Sequence, residues 1–68
     1  MITNYTVTGM TCGHCVAHVT EEVSAIPGVT DVKVLQAGPM TVTSDSAIDF
    51  DAVSQAVQEA GDYQVALA

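Results

Sequence analysis

What most constrains this chain is that, within 68 residues, its hydrophobic period switches from that of a strand to that of a helix and back, twice over. From Ile2 to Thr8, Tyr5 and Val7 fall on one face and Asn4, Thr6 and Thr8 on the other, the alternation of a half-buried strand. Gly9 ends that run. From His14 to Ile26 the apolar residues are Val16, Val19, Val23 and Ile26, spaced three, four and three apart, which makes one stripe along a helix. Pro27-Gly28 stops it. Val29 to Leu35 reads as a second strand with Val32 and Val34 inward, and Gln36-Ala37-Gly38-Pro39 as a turn into a third, Met40 to Ser44. Two strands joined by so short a loop form an antiparallel hairpin. Asp49 is a candidate N-cap for a helix from Phe50 to Ala60 with the stripe Phe50, Val53, Val57 and Ala60. Gly61-Asp62 closes it, and Tyr63, Val65 and Leu67 alternate in a last strand.

The order is β-α-β-β-α-β, once, over residues 1–68 as a single domain. Each helix has one apolar face, so both are expected on the same side of a four-stranded antiparallel sheet, an α+β ferredoxin-like sandwich. In that fold the loop after the first strand lies at the domain's edge, open to solvent, and it carries Cys12 and Cys15.

Charge narrows the partners. Eight acidic residues face one base, Lys33, for a formal net charge of −7. Phosphate backbones and anionic membrane surfaces require clustered Lys or Arg, so nucleic acid is excluded as a partner and a cationic protein surface is favoured. The N-terminus, MITNYTVTG, has no basic segment, long apolar run or cleavage site, and no stretch approaches a membrane span, so a cytoplasmic location without membrane insertion is expected. In a reducing compartment the two cysteines stay thiols, which argues against a structural disulfide.

A thiolate is both nucleophile and metal ligand. Cys15 falls in the first turn of the first helix, where free N–H groups and the helix dipole favour negative charge. Cys12 precedes it beside Gly13, a residue able to bend the loop around a ligand, and Thr11 is a candidate N-cap. Two converging thiolates suit a soft, low-charge cation, and Cu(I) leads because sulfur ligands select it. The tetrad Cys12-Gly13-His14-Cys15 also spells the active site of disulfide isomerases, so a dithiol oxidoreductase is the rival reading. Against it stand the short chain, Thr11 where a Trp is expected, and two prolines placed at a helix stop and a turn. A zinc or cadmium site drawing on Cys12, Cys15, His14 and His18 is a further alternative, although no second cysteine pair completes a four-ligand zinc site.

The run Gly9-Met10-Thr11-Cys12-Gly13-His14-Cys15 resembles the G-M-x-C-x-x-C signature of heavy-metal-associated domains. With the element order, the whole chain is similar to the small CopZ-like bacterial copper chaperones. The resemblance implies a non-enzymatic Cu(I) carrier. Both thiolates hold the metal and pass it by ligand exchange to the metal-binding domain of a copper-exporting P-type ATPase. A copper-sensing repressor is a second implied target, and a copper-bridged homodimer a third option. It also implies that Met10 packs under the loop rather than ligating. His14 tunes the thiols or is simply exposed. Bacterial relatives commonly carry Gly-Tyr before the last strand, with the Tyr near the metal loop. Here the order is Gly61-Asp62-Tyr63, one residue longer, so Tyr63 reads equally as a neighbour of the site or as plain packing.

Overall fold

The computed structural model describes residues 1–11 and 13–68. Its elements are β1 (Ile2–Thr8), α1 (Gly13–Ser24), β2 (Val29–Val34), β3 (Pro39–Ser44), α2 (Phe50–Ala60) and β4 (Gln64–Leu67). The strands form one antiparallel sheet in the order β2-β3-β1-β4, so β1, which leads into the cysteine loop, is an inner strand. Both helices lie on one side of it, α1 against α2 and β2, and α2 against β4. The expected βαββαβ sandwich is the observed fold.

Side chains alternate as the strand periods dictate. Tyr5 and Val7 of β1 are buried beneath the helices, and Asn4, Thr6 and Thr8 face solvent. Met40 and Val42 lie opposite Tyr5 and Thr3 on β3, and both are sealed from solvent. The helices close the core with Val19 and Val23 from α1 and Val53, Ala56 and Val57 from α2. On the open face Thr41 donates a hydrogen bond to Asn4 Oδ1 at 3.0 Å, a polar cross-strand pair.

The structure departs from the strict patterns at several places. Helix α1 ends at Ser24, short of Ile26, and the chain leaves it through tighter bonds from Ala25 and Ile26 N–H to the carbonyls of Glu22 and Val23. Ile26 still packs on the core, but from the turn. In β2 the pairing shifts between Val29 and Asp31, a bulge at Thr30. The extra residue lets Val29 and Val32, three apart, both point inward. Leu35 lies outside the strand and is exposed. Phe50, at the first turn of α2, keeps over a third of its surface in water while its ring meets Tyr5 at 6.3 Å between centroids. Leu67 is exposed because it closes an edge strand of four residues.

Two local devices fix the frame. Asp49 caps α2, its Oδ1 accepting from Asp51 N–H at 3.2 Å with the extended backbone a capping residue adopts. Gly38, at φ +128°, is buried in the β2–β3 turn, and its carbonyl accepts from Val7 N–H at 2.8 Å. A Cβ there would lie 3.0 Å from the Val7 carbonyl oxygen, so only glycine admits the turn so close to β1.

Candidate metal centre

Strand β1 delivers the chain to the edge of the domain, where Gly9 turns it at φ +97°. The next side chain, Met10, goes back into the core with 9% of its surface exposed, so the loop is anchored at its second residue. Thr11 faces solvent. Cys12 lies outside the described residues, and the expectation that it forms half of the dithiol is carried into the proposal below. Gly13 opens α1, with open space where a Cβ would stand. The Thr11 hydroxyl lies 4.0 Å from Cys15 Sγ, a long contact that turns the hydroxyl towards the sulfur.

Cys15 is the third residue of α1, half-buried and packed against the core beside the loop. The first turn of α1 holds no acidic residue. The contrast with α2 is informative: there Asp49 and Asp51 supply the negative charge that a helix N-terminus favours. At α1 the positive end of the dipole falls beside Cys15, the one side chain in that turn able to become an anion. That arrangement suits a thiolate or an anionic thiolate complex.

The remaining candidate residues are distributed around this point. His14 is exposed on the first turn. His18, one turn further on, is exposed beside Glu21, Glu22 and Glu59 in a shallow depression between the helices. Among the described residues, no three His, Cys, Asp or Glu gather where they could hold a metal ion. Tyr63 is half-buried against the core and also abuts the loop: its Cδ1 lies 3.4 Å from where a Gly9 Cβ would stand. The two readings of Tyr63 are therefore not exclusive. What the residue pattern does not reveal is the partner of that contact, the Asp62 carbonyl oxygen, 3.1 Å from the same position. The extra residue between Gly61 and Tyr63 is the only signal of it in the sequence.

Fold and site together define a small α/β sandwich that presents a cysteine in the first turn of a helix beside a core-anchored loop. The chain matches the heavy-metal-associated domain over residues 4–62, and it belongs to that family. It is 41% identical over 59 residues to the copper chaperone CopZ of Enterococcus hirae, covering 84% of this chain and 86% of that one. It is 40% identical over 60 residues to Copper-transporting ATPase 2 of Rhizobium meliloti (strain 1021), covering 87% of this chain but only 7% of the ATPase's length. Among solved structures, a CopZ metallochaperone superposes with a TM-score of 0.85 at 29% identity, covering 97% of this chain and all of that one. Among the described residues no helix is long and apolar enough to cross a membrane.

Proposed function

We propose that this chain is a Cu(I) carrier in which the thiolates of Cys12 and Cys15 hold the metal and release it by ligand exchange to the metal-binding domain of a copper-transporting P-type ATPase. The observation that carries the reading is Cys15 in the acid-free first turn of α1. Two thiolates and Cu(I) make a complex of net negative charge, which the positive end of the helix stabilises. Sulfur ligands select Cu(I) over harder ions. The chain holds no second cysteine pair to complete a four-ligand zinc or cadmium site, which favours a low-coordinate thiolate one. A low-coordinate site leaves room for an incoming thiolate to bind before the first bond breaks, so tight holding and fast transfer coexist.

The similarity to a copper chaperone over most of its length supports a carrier, and the similarity to the ATPase supports a related domain as the recipient. Residues 1–68 act as one metal-binding domain with no catalytic residue, in the cytoplasm. Met10 anchors the loop, Thr11 faces the Cys15 sulfur, and Tyr63 abuts the loop's entry. Gly13 and His14, between the two cysteines in sequence, are both exposed. A copper-sensing repressor as a second recipient and a copper-bridged homodimer belong to the same chemistry.

Transfer tests the proposal. Mixing the Cu(I)-loaded chain with the isolated metal-binding domain of a copper-transporting ATPase, and then separating the two, is expected to leave copper on the recipient within the mixing time. Copper that stays with the loaded chain at equilibrium with an excess of metal-free recipient contradicts the carrier reading. Catalytic reduction of a protein disulfide in the absence of copper would instead establish the oxidoreductase.

A further inference from the structure

The α2–β4 turn meets the start of the metal loop at Gly9, through the Asp62 carbonyl oxygen and the Tyr63 ring. Tyr63 N–H donates to the Gly61 carbonyl at 2.8 Å, closing a tight three-residue turn. The Tyr63 ring folds back over that turn. A Cβ on Gly61 would stand 2.8 Å from ring Cε2 and 2.9 Å from Cζ, separations that packed carbon atoms do not tolerate. The Gly61 backbone, at φ 160° and ψ −167°, is extended and open to any residue. The ring is therefore what requires a glycine at 61. The ring's other edge, at Cδ1, lies against Gly9, whose positive φ turns the chain into the loop.

We propose that Gly61 is a positioning residue for the metal loop: by lacking a side chain it seats the Tyr63 ring against Gly9, so that the α2–β4 turn sets how the loop enters α1. Gly61 acts only through the ring. Because the crowded atoms belong to the far end of a side chain, a methyl at 61 swings the ring away and leaves the backbone turn intact. The loop then loses the ring from the wall at its entry, while the Asp62 carbonyl stays beside Gly9 and Met10 still anchors the loop from beneath. The consequence for metal handling rests on the Cu(I) reading above, whereas the contact itself is a property of the metal-free chain.

The test is a set of variants in the full chain: Gly61→Ala, Tyr63→Ala, Tyr63→Phe and each Tyr63 change combined with Gly61→Ala. In the metal-free parent, NMR is expected to show a nuclear Overhauser contact between the Tyr63 ring and Gly9, which Gly61→Ala abolishes while shifting the Gly9 amide. In the Tyr63→Ala background the added methyl leaves Gly9 where it is, and in the Tyr63→Phe background, which keeps the crowded ring carbons, the sensitivity returns. A ring contact that survives Gly61→Ala, or a Gly9 shift of equal size with and without the ring, overturns the proposal. In the Cu(I)-loaded chain, Gly61→Ala and Tyr63→Ala are each expected to speed release to a chromophoric Cu(I) chelator by about tenfold, the scale of losing a supporting group around a metal site. Unchanged release in both overturns the link from the turn to the metal. A parent chain that takes up no Cu(I) refutes the carrier reading instead, and the metal-free NMR comparison then decides the positioning role alone.

Discussion

Met10 offers the sharpest separation of a structural from a ligating role within the motif. It is a sulfur-bearing side chain two residues from Cys12, yet its exposure is 9% and it belongs to the core cluster. Truncating a buried Met to Ala costs about 2–5 kcal/mol, transfer and cavity together. Met10 lies at the core's margin, so the lower end applies: about 2 kcal/mol. Natural domains hold about 0.05–0.15 kcal/mol per residue, which for this length gives about 3–10 kcal/mol in all. Met10→Ala therefore removes about a fifth of the stability or more. With a urea slope near 1 kcal/mol per molar for so small a chain, the unfolding midpoint falls by about 2 M. Met10→Leu keeps the volume and discards the sulfur, and costs less than about 1.5 kcal/mol. Urea unfolding of the metal-free chains and Cu(I) competition against a chelator complete the assay. The leucine variant is expected to keep parental Cu(I) affinity, and the alanine variant to lose affinity along with its loop anchor. A midpoint unmoved in Met10→Ala refutes the anchoring argument. Loss of Cu(I) affinity in a stable Met10→Leu protein would show that the thioether is a ligand.

Three further outcomes follow from the same geometry. Asp49→Ala removes the carboxylate that accepts from Asp51 N–H and is expected to cost about 1 kcal/mol in urea unfolding, with Asp49→Ser restoring most of it. Gly38→Ala places a Cβ against the Val7 carbonyl oxygen at a positive φ, so it is expected to destabilise by more than about 1 kcal/mol, whereas Gly13→Ala, with open space around it, leaves thermal stability unchanged or slightly raised. Apparent Cu(I) affinity is expected to fall as pH drops, because protons compete for the thiolates, and a pH-independent affinity across the weakly acidic range contradicts thiolate ligation.

The fold was legible because each local signal agreed with its neighbours. Tyr5 and Val7 alternate with threonines, Val19 and Val23 stack on one helix face, and Asp49 caps where the second helix begins. What escaped the sequence depends on contacts between distant segments. The bulge at Thr30 follows from pairing with β3, and no residue in β2 announces it. Gly38 reads as an ordinary turn glycine, yet its need for glycine comes from Val7, far away in the chain. Ala56 lies buried between the valines of α2, where a periodicity count looks for larger side chains. At the site, the spacing of Cys12 and Cys15 and the helix expected from His14 marked the chemistry, and the resemblance placed Met10 beneath the loop. The seat of Tyr63 was open in the sequence, because ring direction depends on a glycine two residues away and on another across the sheet.

The claim on which everything else rests is that two thiolates at this helix start hold Cu(I). An anaerobic titration of the reduced chain with Cu(I), Zn(II) and Cd(II), each against a competing chelator, tests it most directly when repeated on Cys12→Ser and Cys15→Ser. Cu(I) is expected to be retained far more tightly than either divalent ion, and tight retention is expected to vanish in both serine variants. Parental Cu(I) binding by either variant, or a preference for Zn(II) over Cu(I), contradicts the dithiolate account.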